Sequence, residues 1–430
     1  MINSLYIAKS GLYTSKYSVD VTSNNIANEN TNGYVKRLVN TSELPELESN
    51  IGNGVSFDGV TRNTSVYLYD KLVSQSSMAS YYEQENSTLS NLEIMFSETE
   101  TSGFSTTLNN FFNSIESLRA DSTNLIYQNE LSTQAQTLVD GLQSLTGELE
   151  DSFKTTIQQL EDQVDTVNNI LEQIVYLNEQ IIQSNTDSND LLDKRDALEK
   201  ELSNYVDIKI DRTSDTYNLK IAGVNVIFNN TNLHEVSISG DFSDLDNLDT
   251  SLTVYNNKLS LTSGSLKSLT QNLTSETSSI SAYKQSLDDF AVALVDYTTA
   301  NSSVPIFSGN NVKTLTFEEN NLSSLTNEDL ESLAQMKWDE SLTIGTTSNT
   351  SFSEFYQNLL VTISSNVEKN NFKLESQNAI VNSLESTYNN LTKVDSDEEM
   401  INLLQYQAAY EANAKVITIV DEMLQTLLAM

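Results

Sequence analysis

Between Leu138 and Ile181 an apolar residue recurs every three or four positions: Leu138, Leu142, Leu145, Leu149, Phe153, Ile157, Leu160, Val164, Val167, Leu171, Ile174 and Ile181. That period is helical. Asn178 occupies one place in the seam. The 430-residue chain has only 2 prolines and 13 glycines, so little interrupts such a pattern. As one helix of about 45 residues it spans roughly 65–70 Å at about 1.5 Å per residue. Gly141 and Gly147 are the candidate bends. A helix of that length predicts an elongated, mainly α, multidomain chain rather than a compact enzyme core.

Both ends carry heptads as well. Leu5, Leu12, Val19 and Ile26 repeat every seven residues, with Ile2, Ala8 and Ser15 on the same face. This helix runs into "NNIANENTNGYVKR" (24–37), where Asn32-Gly33 suits a tight turn. At the other end Leu403, Tyr410, Ile417 and Leu424 hold one seam position and Tyr406, Asn413, Val420 and Leu427 the other. A second apolar stripe, Ile401, Leu404, Ala408, Ala412, Val416, Ile419 and Met423, means that this last helix needs neighbours on two sides. It is marginal alone and orders by packing. The acids Asp395, Asp397, Glu398 and Glu399 read as its N-terminal cap. The preceding helix repeats Leu360, Val367, Leu374, Val381 and Tyr388, with Ile363, Leu384 and Leu391 as partners and Asn370 and Gln377 breaking the seam. The two ends are therefore expected to pair, which nests the domains.

Residues 34–70 read as extended chain or hairpin around Val55, Phe57 and Val60. Helix follows from Ser65 past Leu92, breaks at "ETETSGF", and resumes near Thr106. In "NDLLDKRDALEKELSNYVDI" (189–208), Lys194, Arg195 and Lys200 lie among acids as on a solvated, salt-bridged helix face. The period then drops to two. Residues 205–262 form a small β-rich module with hairpin turns at Ala222-Gly223 and Asn256-Asn257. Helix returns from Leu266 to Thr299, and Trp338 reads as a core anchor.

Chemistry is hard to find. The formal charge of -37 disfavours nucleic acid and anionic membranes. There is no cysteine, and His234 is the single histidine available to any triad. Asp241, Asp244, Asp246 and Asp249 lack EF-hand spacing. No phosphate loop, nucleophile elbow or zinc motif is present, so no catalytic residue, cofactor or metal is expected. No cleavable signal or membrane span is evident, which by itself places the chain in the cytoplasm.

The termini carry a resemblance. "SGLYTSKYSVDVTSNNIANENTNGY", with Asn24, Asn25, Asn28, Thr31, Gly33 and Tyr34 at its turn, resembles the N-terminal signature of the bacterial flagellar rod, hook and hook-associated proteins. Asn32 stands where that family usually has proline. "GVTR" (59–62) is similar to its next motif, with Ser65 where an acid often follows. "DEEMINLLQYQAAYEANAKVITIVDEMLQTLL" resembles its C-terminal signature. Within the family, "NDLLDKRDALEKELSNYVDI", "GSLKSLTQNL", "YKQSLDDFAVALVDYTTA" and "IFSG" resemble the hook–filament junction branch.

The resemblance implies a structural, self-assembling component that joins hook to filament. It implies an inner coiled-coil domain (1–34 and 398–430), a helical middle domain (35–204 and 263–397) and the outer β module, with an outer variable domain reduced. The implied assembly interface is Leu5, Leu12, Val19, Ile26, Leu403, Tyr406, Tyr410, Ile417, Val420, Leu424 and Leu427. The implied partners are further copies of the chain, the hook protein, a second junction protein, an export chaperone and the flagellar export apparatus. Secretion by that route, with an uncleaved signal, replaces the cytoplasmic expectation. Two other readings stay open: a hook or distal rod protein sharing only the ends, and a secreted adhesin using the β module.

Overall fold

The computed structural model describes residues 2–45, 52–99, 102–184, 188–212, 216–242 and 248–429. Expectations that fell on Asn50, Ile51, Glu100, Thr101, Asp244 and Asp246 lie outside these residues, as does the side chain of Ile2.

The chain begins with α1 (Ile2–Ala27) and a hairpin of β1 (Arg37–Glu43) and β2 (Val55–Arg62). Helices α2 (Val66–Met95), α3 (Phe104–Ala120), α4 (Leu125–Gln183) and α5 (Asn189–Tyr205) follow. Then come β3 (Ile208–Asp211), β4 (Asn218–Ile221), β5 (Val224–Phe228) and β6 (Asn232–Leu233), an antiparallel sheet in sequence order. A second antiparallel sheet holds β7 (Val236–Ser239), β8 (Ser251–Val254) and β9 (Asn257–Lys258). Helices α6 (Ser265–Asn272) and α7 (Ser279–Asn301) lead to the strand pair β10 (Phe307–Ser308) and β11 (Thr316–Phe317). After α8 (Asn327–Gln335) and the pair β12 (Leu342–Ile344) and β13 (Thr347–Thr350), two long helices end the chain: α9 (Phe352–Thr392) and α10 (Ser396–Ala429).

The mainly α expectation holds. The long helix is longer than its seam: α4 has 59 residues and runs through Gly141 and Gly147 unbroken. Its buried stripe includes Leu138, Leu142, Leu149, Phe153, Leu160, Val164, Val167, Leu171 and Ile174. Helices α3, α5, α6 and α7 and both sheets pack along it. An aromatic cluster closes the end near α3, with ring centroids 4.7 Å apart for Phe104 and Tyr356 and 5.1 Å for Phe290 and Phe352. Polar seam residues dock neighbours. Asn168 exchanges two 2.9 Å hydrogen bonds with the backbone of Val236, and Asn178 donates to the Asn230 carbonyl at 2.8 Å.

Helix α9 lies along α2. Asn370 and Gln377 do not break that seam; they set its register. Asn370 donates to the Tyr82 carbonyl at 2.9 Å and Gln377 to the Gln75 carbonyl at 3.0 Å. Both are buried, so a slip along the seam would strand their amides without partners.

Four expectations are corrected. The helix drawn from Leu266 to Thr299 is two, α6 and α7, because Ser278 caps α7 by accepting from the Ser281 N–H at 3.2 Å. The break uses serine and threonine, which are weaker punctuation than glycine or proline. The last β turn sits one residue earlier than expected, at Tyr255 (φ 48°) and Asn256 (φ 65°). Trp338 is 72% exposed, under the Lys337 ammonium. Leu330, Leu333 and Met336 already fill the core positions there. Finally, Arg195 is not on a solvated face; it is buried, together with Asp193 and Glu199.

Helix α8 offers a pH test. Asp329 accepts from the Thr326 and Ser303 N–H groups, each at 2.8 Å, and from the Ser303 hydroxyl at 2.7 Å. Burial opposes its charge, but these hydrogen bonds outweigh it and lower its pKa to about 2 from an ordinary 3.8. A lowered carboxylate pKa stabilises the fold above the unfolded value and loses that contribution as pH falls through the folded one. The protection of α8 amides, taken relative to their intrinsic exchange rates, should therefore be flat above pH 4 and fall as the pH approaches 2. In Asp329→Asn this pH dependence should vanish; its persistence would assign the effect to another group.

Candidate functional site: the terminal helix pair and its junction

Helices α1 and α10 pack chiefly on each other. A line of mostly small residues on α1, Ala8, Gly11, Ser15, Ser18, Thr22 and Asn25, alternates steps of three and four. All of these except half-buried Gly11 are buried. A Cβ placed on Gly11 would stand 2.8 Å from the Asn413 amide, so the helices approach closely there. The polar groups in this seam are satisfied locally: Ser18 bonds to the Thr14 carbonyl and Asn413 to the Ala409 carbonyl.

The apolar heptad residues flank this line. Leu5, Leu12, Val19 and Ile26 are half-buried, as are Leu403, Tyr406, Ile417 and Leu424. Val420 is buried, whereas Tyr410 and Leu427 are exposed. The second stripe of α10 faces outward: Ile401, Leu404, Val416, Ile419 and Met423 are all exposed. On α1, Tyr6 and Tyr13 are exposed as well. The β1–β2 hairpin braces α1, with Tyr17 stacked on Phe57 at 4.3 Å and the Val55 N–H donating to Ser10 Oγ at 3.2 Å.

The asparagine-rich turn closes α1. Asn28 donates to the Asn24 carbonyl at 2.9 Å, and Thr31 Oγ1 donates to Asn28 Oδ1 at 3.1 Å. Gly33 takes φ 77°, a left-handed conformation that glycine adopts without strain. Asn32 is exposed, so this turn does not need a proline ring. Tyr34 donates its hydroxyl to Asn25 Oδ1 at 2.8 Å, and burial pushes its pKa up to about 12. Asn25 is 1% exposed and makes three further bonds: it accepts from the Arg37 N–H (2.9 Å), and donates to the Arg37 carbonyl (3.0 Å) and to Glu399 (2.9 Å).

Behind the turn lies a charge cluster that is buried except at Glu398 and the edge of Arg212. Five cations, Lys36, Arg37, Arg62, Arg195 and Arg212, meet five carboxylates, Asp193, Asp196, Glu199, Glu398 and Glu399. The whole chain has 23 Lys and Arg, so roughly a fifth of its positive charge gathers at one junction. Lys36 bridges Glu398 and Glu399, each at 3.0 Å. Burial works against its charge, but those carboxylates raise its pKa. Arg37 pairs with Asp193; Arg62 pairs with Asp196 and lies 2.8 Å from Asp193. Glu199 is fully buried between Arg212, Arg195 and the Tyr217 hydroxyl (2.9 Å). Burial raises the pKa of Glu199 against the pull of Arg212, and raises Tyr217 and Tyr69 further from ionisation.

Sequence reasoning missed this cluster. Its one visible trace is the i, i+3, i+6 run Asp193, Asp196, Glu199 on α5, where Leu191, Leu192 and Leu198 are only half-buried. The acids before α10 do more than cap it. Asp395 caps, accepting from the N–H groups of Asp397 and Glu398, whereas Glu399 is buried against Lys36 and Asn25.

Nothing at this junction resembles a catalytic or metal centre. Among the described residues no group of three or more His, Asp or Glu could hold a metal, and no helix is long and apolar enough to cross a membrane. Asp249 pairs with Lys258 at 3.6 Å, and His234 stacks on Tyr255 at 5.0 Å.

The profile of the flagellar hook-associated protein FlgK helical domain matches residues 89–304, half of the chain. The chain belongs to the FlgK family. It is a structural component of the flagellum. The profiles of the flagellar basal body rod FlgEFG C-terminal region and of the flagella basal body rod protein match residues 385–430 and 5–34. These two cover α10 and α1, and the FlgK match runs from the end of α2 to the end of α7. Flagellar hook-associated protein 1 of Bacillus subtilis is 24% identical, over 98% of this chain and 96% of that protein. The Escherichia coli protein of the same name is 29% identical over 50% of this chain and 41% of its own length. The solved flagellar hook junction protein FlgK of Burkholderia pseudomallei aligns with 56% of this chain and 46% of that one, at 19% identity and a TM-score of 0.48.

Proposed function

We propose that copies of this protein assemble through the α1–α10 pair into a layer at the hook–filament junction, connecting hook to filament. The observation that carries the reading is the outward apolar stripe of α10. A helix pair that leaves Ile401, Leu404, Val416, Ile419 and Met423 exposed needs neighbours to cover them. The faces differ in charge. Exposed Lys9 and Lys16 outnumber Asp20 on α1, whereas α10 carries six acids, Glu399 buried among them, and one lysine. One copy's α1 therefore suits its neighbour's α10. Such a head-to-tail contact between identical chains closes into rings or winds into tubes.

In this reading the terminal pair, residues 1–34 and 398–430, is the inner unit, and the hairpin braces it. The helical body is the middle unit and residues 205–262 are the outer one. The function rests on surface complementarity rather than catalysis. The partners are further copies of the chain, the hook protein, a second junction protein, and the export chaperone and apparatus that deliver the chain to the cell exterior.

Deleting residues 400–430 tests the proposal. The expected product is a soluble chain whose body keeps its helical circular dichroism and cooperative unfolding, in cells that shed filaments and do not swim. Normal swimming with attached filaments would refute it.

A further inference from the structure

We propose that the buried charge cluster is the joint that sets the direction in which the terminal helix pair leaves the body, and that Asp193 is its positioning residue. The inference rests on the reading of that pair as the assembly element.

Helices α1 and α10 pack mainly on each other and on the hairpin. Two short stretches tie this unit to the body, residues 63–65 from the hairpin into α2 and residues 393–395 from α9 into α10, while residues 28–36 link α1 to the hairpin. Backbone bonds gather all three at one place. The Lys36 N–H donates to the Thr392 carbonyl at 2.7 Å, and the Asn63 N–H donates to the Lys36 carbonyl at 2.8 Å.

The carboxylates of α5 divide the labour. Asp193 meets groups from the outgoing chain: the Val35 N–H at 3.4 Å, the Arg37 guanidinium and Arg62 Nε at 2.8 Å. Glu199 meets groups of the body: Arg195, Arg212, Tyr69 and Tyr217. Asp196 links the two sets by holding Arg62 on one side and Arg212 on the other.

Buried ion pairs of this kind are a poor means of gaining stability, because desolvation cancels much of the attraction and apolar residues often do as well. What they add is direction. A guanidinium held by a carboxylate has a fixed plane and a fixed approach, whereas an apolar contact tolerates sliding. A subunit that must meet neighbours on two sides needs its terminal pair at one angle. The outgoing chain is held to Asp193 by two arginines from different segments, which restricts its rotation more than either contact alone.

Because the chain has no cysteine, cysteines for spin labels can be introduced singly at exposed Lys16 on α1 and Glu172 on α4. Their distance distribution is measured in the full-length monomer. A triple apolar variant, Arg37→Met, Arg62→Met and Asp193→Leu, removes Asp193 with both of its arginines and leaves Asp196 on Arg212; Asp193→Asn serves should the triple variant misfold. The expected result is a distribution broadened about twofold or more, with the body's unfolding transition retained, and filament attachment lost in cells. Glu199→Gln, on the body side, should leave the distribution narrow. Superimposable distributions, a native distribution already as broad as the variant's, or equal broadening by Glu199→Gln would each overturn the joint. A broadened distribution with filaments still attached would uphold the joint and instead sink the assembly reading on which it rests.

Discussion

Replacing Gly11 and Ser18 together with leucine is expected to release α1 from α10 and to abolish filament attachment, while the body unfolds as before. Both positions lie on the line of small residues that α1 turns inward. A bare Cβ at Gly11 already meets the Asn413 amide at 2.8 Å, and Ser18 is 5% exposed. Overpacking costs about 1–3 kcal/mol at each site, and a pair of helices with exposed outer faces has little stability to absorb it. Amide exchange reads the first half of the result: protection should disappear from residues 5–25 and from α10, and persist in α4. A motility assay reads the second half. Leu12→Ala should be far milder, because Leu12 is a half-buried flank residue. Full protection of α1 in the double leucine variant would show that the seam lies elsewhere.

Glu199→Ala should destabilise the body by about 3–5 kcal/mol, the usual cost of removing one partner from a buried ion pair. Arg212 and Arg195 would lose the carboxylate that neutralises them, and the Tyr217 hydroxyl its acceptor at 2.9 Å. Glu199→Gln should cost less, because an amide oxygen can still accept from Tyr217. Urea unfolding followed by circular dichroism measures both variants. A loss under about 1 kcal/mol for the alanine variant would mean that water reaches the site and replaces the carboxylate.

The helices could be read from the chain, since each buries one stripe and the period of that stripe is written in the sequence. The seam of α4 is an example, as is the apolar repeat of α9. The centre of the α1–α10 contact was harder to read. Leucines announce a heptad, but the buried positions are Ala8, Ser15 and Ser18, and the contact with Asn413 is at Gly11. A small polar residue in a helix looks the same in sequence whether it faces a partner or water.

The charge cluster lay further out of reach. Arg37, Arg62, Asp193 and Arg212 are scattered over more than a hundred residues of loop, strand and helix ends. Charged residues at helical spacing ordinarily mark a solvated face, and the leucines beside them supported that reading of α5. Whether a charge is buried depends on what packs over it, and here the cover comes from segments distant in the chain.

The sequence by itself determined the mainly α architecture, the long central helix, the pairing of the ends and the flagellar family, because periodicity and local motifs are properties of neighbours along the chain. Only the tertiary structure decided where the ends meet the body and which side chains hold them. Burial of a charge and the angle between two helices are set by contacts between residues hundreds of positions apart, such as Asn25 with Glu399, and no local pattern encodes those.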